Sequence, residues 1–150
     1  MSEPIEPEIH LLEDEAATEA FGRGLAARLA PGDIVLLRGA LGSGKTSLAR
    51  AAIRALAGDP LLEVPSPSFA LVQAYETPRG TVLHADLYRL ASAADIAELG
   101  LLDDPSAIVF VEWPDRAPAL ADAATFRIAL ELGPGGVGRR LSLWGPAEFR

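Results

Sequence analysis

Eight consecutive residues, Gly39-Ala40-Leu41-Gly42-Ser43-Gly44-Lys45-Thr46, constrain the fold of this chain more than any other stretch. They fit the pattern G-x-x-x-x-G-K-[ST], which needs a strand before it and a helix after it. With 14 Gly, one Lys, and 13 Ser and Thr together in 150 residues, a chance match comes out at about one in a thousand. Both flanks agree with the pattern. Asp33-Ile34-Val35-Leu36-Leu37 is an apolar run of strand character, and Leu48, Ala49, Ala52, Ile53 and Leu56 recur at helical spacing. Small residues let successive backbone N–H groups converge on an anion, because glycine has no Cβ to hold phosphate oxygens away. Lys45 can then reach the β- and γ-phosphates of a nucleotide, and Thr46 can offer its hydroxyl to Mg²⁺. Lys45 is the only lysine beside twelve arginines, which points to a site that takes a compact ammonium and rejects a broad guanidinium fork. A glycine-rich strand-to-helix turn that binds nothing is the plain alternative.

Length and composition suit one domain spanning 1–150, able to bury roughly 68–70% of its unfolded surface. An apolar share of 49% with 23% charged residues belongs to a globular protein, and no apolar run approaches the ~18 residues of a membrane span. Residues 1–8 read as a frayed, acidic end without a hydrophobic signal core, so a cytoplasmic protein is expected. The absence of cysteine removes disulfides, thiolate catalysis and Cys-based zinc sites. A net charge of −8 argues against a broad nucleic-acid-binding face. Any RNA in this protein's biology is therefore expected to be held mainly by another subunit.

In chain order, Ile9 to Leu12 suits a short strand, and Asp14 suits the N-cap of a helix to about Leu29. Gly22 and Gly24 weaken that helix and so predict close packing. Gly58-Asp59-Pro60 stops the helix that follows the glycine loop. Val64-Pro65-Ser66-Pro67-Ser68-Phe69 predicts a stiff loop before a strand at Ala70 to Tyr75. Thr77-Pro78-Arg79-Gly80 suits a turn of type II, in which Arg79 fits the positive-φ position poorly. The strand Thr81 to Asp86 then returns antiparallel, with His84 and Asp86 on one face. Ser92-Ala93-Ala94-Asp95 has capping-box spacing for a short helix ended by Gly100. Ala107 to Val111 suits a strand buried on both faces. Thr125 to Leu132 and Arg140 to Trp144 suit a closing antiparallel hairpin. The glycine run 133–138 between them has no helix after it and reads as a turn rather than a second phosphate site.

Several residues admit two readings from the sequence alone. Ser68 belongs either to an ordinary Pro-Ser loop or to a switch loop whose hydroxyl senses metal or γ-phosphate. His84 taken alone reads as a structural residue more readily than as a ligand. Asp86 stands at a strand end where a catalytic carboxylate is as reasonable as a surface one. Glu112, directly after the buried strand, is either a surface carboxylate or the second metal-holding group beside the glycine loop.

Taken in order, Gly39-x-Leu41-Gly42-x-Gly44-Lys45-Thr46, Ser66-Pro67-Ser68-Phe69, His84-x-Asp86-Leu87-Tyr88-Arg89-Leu90 and Val111-Glu112-Trp113-Pro114 resemble the TsaE (YjeE) family. That family is the ATPase subunit of bacterial threonylcarbamoyladenosine tRNA-modification machinery. The resemblance spans from about Asp14 to the last hairpin. It implies an α/β P-loop NTPase fold with a mixed, mostly parallel sheet flanked by helices, and ATP with Mg²⁺ as ligands. Nucleotide contacts are implied for Gly39, Leu41, Gly42, Ser43, Gly44, Lys45, Thr46, Ser47, Ser68 and Trp113. Catalytic roles are implied for Lys45, Asp86 and Glu112, with Thr46 and Glu112 holding the metal and Asp86, near the γ-phosphate, ordering the attacking water or metal-bound waters. Ser68 stands where the family usually has threonine, and Thr18 matches a family threonine at the adenosine end. Ala40 replaces a common acidic residue. The implied partner is the TsaB–TsaD heterodimer, with slow hydrolysis alone and faster turnover in the complex. Arg89 and Arg116 are candidate arginine fingers in cis. A small-molecule kinase and a nucleotide-gated binding module without essential hydrolysis are the rival functions.

Overall fold

Four of the five residues of β2 (Ile34–Arg38) are buried, so this strand needs neighbours on both edges and cover on both faces. In the computed structural model, which describes residues 6–40, 42–67, 71–90 and 93–145 apart from the side chains of Ala93 and Arg116, it has both. Strand β5 (Ile108–Glu112) lies parallel on one side and β6 (Phe126–Leu132) parallel on the other. Strand β4 (Gly80–Asp86) continues the parallel set beyond β5. Antiparallel strands close both edges: β3 (Val72–Thr77) on β4, then β7 (Arg139–Trp144) on β6 and β1 (Glu8–Leu12) on β7. The 7-stranded order is β1-β7-β6-β2-β5-β4-β3. The sheet is mixed, as expected, but parallel pairing is confined to its middle.

Alternation along β2 sends its side chains into two cores. Val35 and Leu37 pack under helices α1 (Glu15–Arg28) and α2 (Lys45–Ala57), among Leu25, Leu48, Ile53 and Phe110. Ile34 and Leu36 pack on the other face, where Ile96 of α3 (Ala93–Ala97) and Leu120 of α4 (Pro118–Ala123) cover Val109 and Val111. Among the described residues no helix is long and apolar enough to cross a membrane.

Asp14 caps α1 by accepting from the Ala17 N–H at 2.8 Å. Close packing holds at Gly22, where a Cβ would stand 2.8 Å from both the Ala51 Cβ and the Leu48 carbonyl oxygen of α2. Gly24 has nothing within 4 Å of that point, so its expected close contact is absent. Gly58 ends α2 at φ 69° with its N–H returned to the Ala55 carbonyl.

Three expectations need correction, and a fourth falls outside the described residues. Glu8 is not part of a frayed end: it pairs with Leu143 and takes Arg28 Nη2 at 3.1 Å. Strand β3 begins at Val72 and not at Ala70, because Leu71 has φ 68° and cannot join the ladder's extended backbone. The β3–β4 turn is not type II, since Gly80 at φ 108° takes the positive φ and Arg79 does not. The Ser92 cap lies outside the described residues, although α3 and Gly100, at φ 66°, stand where expected.

Candidate functional site

Strands β2, β4 and β5 run the same way, so their C-terminal ends meet at one edge of the sheet. The glycine loop leaves β2 there and leads into α2, whose first residue is Lys45. The register sets Asp86 beside Glu112 on adjacent strands, and side chains paired across parallel strands share a face. Topology thus gathers residues more than sixty positions apart around a cavity of about 520 Å³. Gly42, Ser43, Gly44, Lys45, Thr46 and Ser47 form its floor, with Asp86, Glu112 and Trp113 on one wall. Thr18, Ser66 and the Gly138-Arg139 pair also line it.

The loop backbone faces open space. Gly42 and Gly44 have φ of 79° and 104°, and a Cβ built on either meets nothing within 4 Å. Only glycine takes such φ values without strain. Gly39 is required for a different reason: a Cβ there would lie 2.6 Å from the Leu130 carbonyl oxygen and the Ser43 hydroxyl. The Ser43 Oγ is buried with no hydrogen-bond partner, a cost that a polar ligand would remove. Leu41 and Ser68 lie outside the described residues.

Lys45 is only 5% exposed. Its ammonium donates to the Gly39 carbonyl and, at 3.1 Å, to the Ala40 carbonyl. It also stands 4.1 Å from the centre of the Trp113 ring, a cation–π contact. Burial lowers its pKa from the usual lysine value, and the nearby Glu112 and Asp86 carboxylates raise it part of the way back.

Thr46 Oγ1 lies 2.9 and 3.0 Å from the two Glu112 oxygens and donates to that carboxylate. Glu112 is 3% exposed and also meets His84 Nε2 at 2.6 Å. A carboxylate can only accept, so Nε2 carries the hydrogen of this bond. Asp86 is 7% exposed, and its Oδ1 accepts from the Tyr88 N–H at 2.9 Å. Two non-glycine residues hold positive φ at this edge: Trp113 at 61°, directly after Glu112, and Leu71, whose carbonyl accepts from the Asp86 N–H. Each costs of order 1–3 kcal/mol, and such strain concentrates at functional sites.

A hydroxyl with adjacent carboxylates is an all-oxygen donor set, which suits Mg²⁺ when phosphate oxygens and water complete its shell. Among the described residues no three His, Cys, Asp or Glu converge as a self-sufficient metal cage. The candidate site therefore fits Mg²⁺ brought with a polyphosphate better than a metal held by protein alone.

The structure brings Gly39, Gly42, Ser43, Gly44, Lys45, Thr46, Asp86, Glu112 and Trp113 together. Ser47 lines the cavity too, but its hydroxyl donates to Glu15 of α1 at 2.9 Å. Arg89 does not line the cavity, and the Arg116 side chain lies outside the description. Two residues were missed. His84, read as structural, supports Glu112; pairing β4 with β5 on paper would have set it on the same face. Arg139 of β7 binds the glycine loop by two hydrogen bonds, to the Ser43 and Gly42 carbonyls, and no local pattern announces it.

The arrangement defines an α/β protein in which a glycine loop, entering a helix behind a parallel strand, faces one carboxylate from the adjacent strand β5 and one from β4 beyond it. A family model described as "Threonylcarbamoyl adenosine biosynthesis protein TsaE" matches residues 12–139, and the chain belongs to the TsaE family. The TsaE protein of Rickettsia bellii is 39% identical over 123 residues, covering 81% of this chain and 85% of the relative. That of Synechocystis is 39% identical over 118 residues, 73% of this chain and 71% of the relative. That of Aquifex aeolicus is 36% identical over 106 residues, 71% and 76% respectively. The crystal structure of Bacillus subtilis YdiB superposes with a TM-score of 0.72 at 18% identity, covering 99% of this chain and 92% of its own. At that identity the likeness speaks for the fold.

Proposed function

We propose that this chain is a P-loop ATPase that binds ATP with Mg²⁺ in the described cavity and hydrolyses it in the threonylcarbamoyladenosine modification of tRNA. The observation that carries the proposal is the direct bond between Thr46, at the start of α2, and Glu112, at the end of β5. It joins a loop able to cradle phosphates to a carboxylate able to hold their metal. The family's printed role in threonylcarbamoyl adenosine biosynthesis supplies the process.

The chain's own groups suffice for positioning. Loop and α2 N-terminal N–H groups bind phosphate oxygens, and Lys45 turns from the Gly39 and Ala40 carbonyls to neutralise them. Thr46 and Glu112 hold Mg²⁺, with His84 keeping the carboxylate in place, and Asp86 orients the attacking water. Mg²⁺, when bound, supplies further neutralisation of charge on the β- and γ-oxygens. Trp113 shields the site from solvent. Phosphoryl transfer needs little else, because catalysis there is mostly positioning and electrostatics.

A charge of −8 favours action through proteins that hold tRNA over direct binding to it. The TsaB–TsaD heterodimer, in the cytoplasm, is the proposed partner. ATPase rates of the purified chain with and without cognate TsaB–TsaD test this, together with pull-down of the heterodimer in ATP, ADP or neither. An unstimulated rate combined with nucleotide-independent pull-down would contradict it.

A further inference from the structure

Resting on that nucleotide reading, we propose that Arg139 is a positioning residue for the phosphate cradle, a clasp from the last hairpin that fixes how the glycine loop presents its backbone. Its Nε donates to the Ser43 carbonyl at 2.8 Å, its Nη2 to the Gly42 carbonyl at 2.9 Å, and its Nη1 to the Gly138 carbonyl at 2.9 Å. One planar group thus ties two consecutive loop peptides to a segment about a hundred residues away. An ammonium, with its tetrahedral donors on a flexible stem, cannot reproduce that fork.

A trans peptide points its C=O and its N–H in opposite directions, and the described chain contains no cis bond. Drawing the Ser43 carbonyl to the guanidinium therefore turns the Gly44 N–H away from it. Drawing the Gly42 carbonyl there turns the Ser43 N–H away likewise, and that N–H closes the loop onto the Ala40 carbonyl at 3.1 Å. Glycines gain least from local preference, since their backbone freedom is greatest. An external clasp is the counterweight to that freedom at Gly42 and Gly44.

The hairpin is built to hold the clasp in place. Arg139 pairs with both Leu12 and Leu132 at the start of β7. Gly138 before it has φ 68°, and a Cβ there would fall 2.5 Å from the Leu12 carbonyl oxygen. The glycine run 133–138 thus serves the cavity indirectly, by letting the chain turn tightly into Arg139.

A clasp acting on the loop weakens every nucleotide that uses the cradle by a similar factor, whereas an arginine touching the γ-phosphate penalises ATP far more than ADP. The test measures ATP and ADP affinity for wild type, Arg139→Ala, Arg139→Lys and the neighbouring Arg140→Ala by calorimetry. Hydrogen exchange at the Gly42 to Thr46 amides is followed without nucleotide. Expected for Arg139→Ala are equal losses of about 10- to 100-fold for both nucleotides, faster loop exchange, and recovery on adding guanidinium ion. Arg139→Lys should recover little, and Arg140→Ala should behave as wild type. Loss confined to ATP, or loop exchange unchanged in both Arg139 variants, overturns the clasp. Wild-type protein that binds neither nucleotide overturns the ATPase reading instead, and the exchange result still judges whether Arg139 holds the loop. If Arg139→Ala does not fold, the Arg139→Lys exchange and affinity data decide.

Discussion

The Thr46 hydroxyl and the Glu112 carboxylate meet at 2.9 and 3.0 Å although 66 positions separate them in the chain. Neither is placed by its own surroundings. The first turn of α2 delivers one and the end of β5 the other, and the β2–β5 register decides that they touch.

Removing either partner should separate binding from turnover. Thr46→Val takes away the hydroxyl at little change of volume, and should cut Mg²⁺-dependent ATP affinity by about 10-fold or more while leaving Mg²⁺-free affinity unchanged. Glu112→Gln should likewise keep Mg²⁺-free nucleotide binding, and should lower partner-stimulated turnover by about 10²–10³-fold. The double variant should lose no more than the worse single one, because both act through one metal position. Additive losses in steady-state rates would mean that the two residues act independently.

Lys45 should make nucleotide affinity fall with rising pH, starting below the ordinary lysine value of 10.5. Burial lowers its pKa from the lysine value of 10.5, and phosphate charge favours the protonated form, so the bound value lies above the free one. Between the two, binding takes up a proton, and affinity declines as pH rises through the free pKa. Calorimetry in buffers of different ionisation enthalpy should record that uptake over the same pH range in which affinity declines. Lys45→Arg should lose the effect together with most of the affinity. Affinity flat up to pH 10.5 would show that the ammonium is not coupled to the ligand.

Two glycines of one helix should respond in opposite directions to alanine. At Gly22 the helical gain of about 1 kcal/mol is outweighed by overpacking, typically 1–3 kcal/mol, because the new Cβ stands 2.8 Å from α2. At Gly24 nothing lies within 4 Å, so only the gain remains. Urea melts should show Gly24→Ala stabilised by up to about 1 kcal/mol and Gly22→Ala destabilised or at best neutral. A stabilised Gly22→Ala would mean that α1 can move away from α2 at no cost.

Elements that declare themselves by local pattern were legible in the sequence. The runs at Ile34 to Leu37 and Ile108 to Val111 gave buried strands because both faces are covered, and Gly58 gave the end of α2. The glycine loop, Asp86 and Glu112 were legible because each sits at a strand end in a recognisable setting. His84 and Arg139 were not. The first depends on β4 lying beside β5, and the second on a hairpin folding back over the loop, neither of which leaves a trace within a few residues. Leu71 escaped for a related reason: its positive φ is imposed by the Pro67 carbonyl accepting its N–H at 2.7 Å and by its link to Asp86, not by its own side chain.

Trp113 should report nucleotide directly. Its ring lies over the Lys45 ammonium at 4.1 Å and against Tyr88 at 4.8 Å between centroids. Phosphate competes for that ammonium with formal charge, which outweighs a ring quadrupole worth about 0.5–2 kcal/mol. Nucleotide should therefore pull Lys45 off the ring and change indole emission. Trp144, the other tryptophan, lines a separate cavity with Leu36 and Ile128, so Trp144→Phe should keep the signal and Trp113→Phe should abolish it. AMP, too short to reach the lysine, should change the emission far less than ADP or ATP. A full response to AMP, or one that survives Trp113→Phe, would place the fluorescence change outside the contact between Lys45 and Trp113.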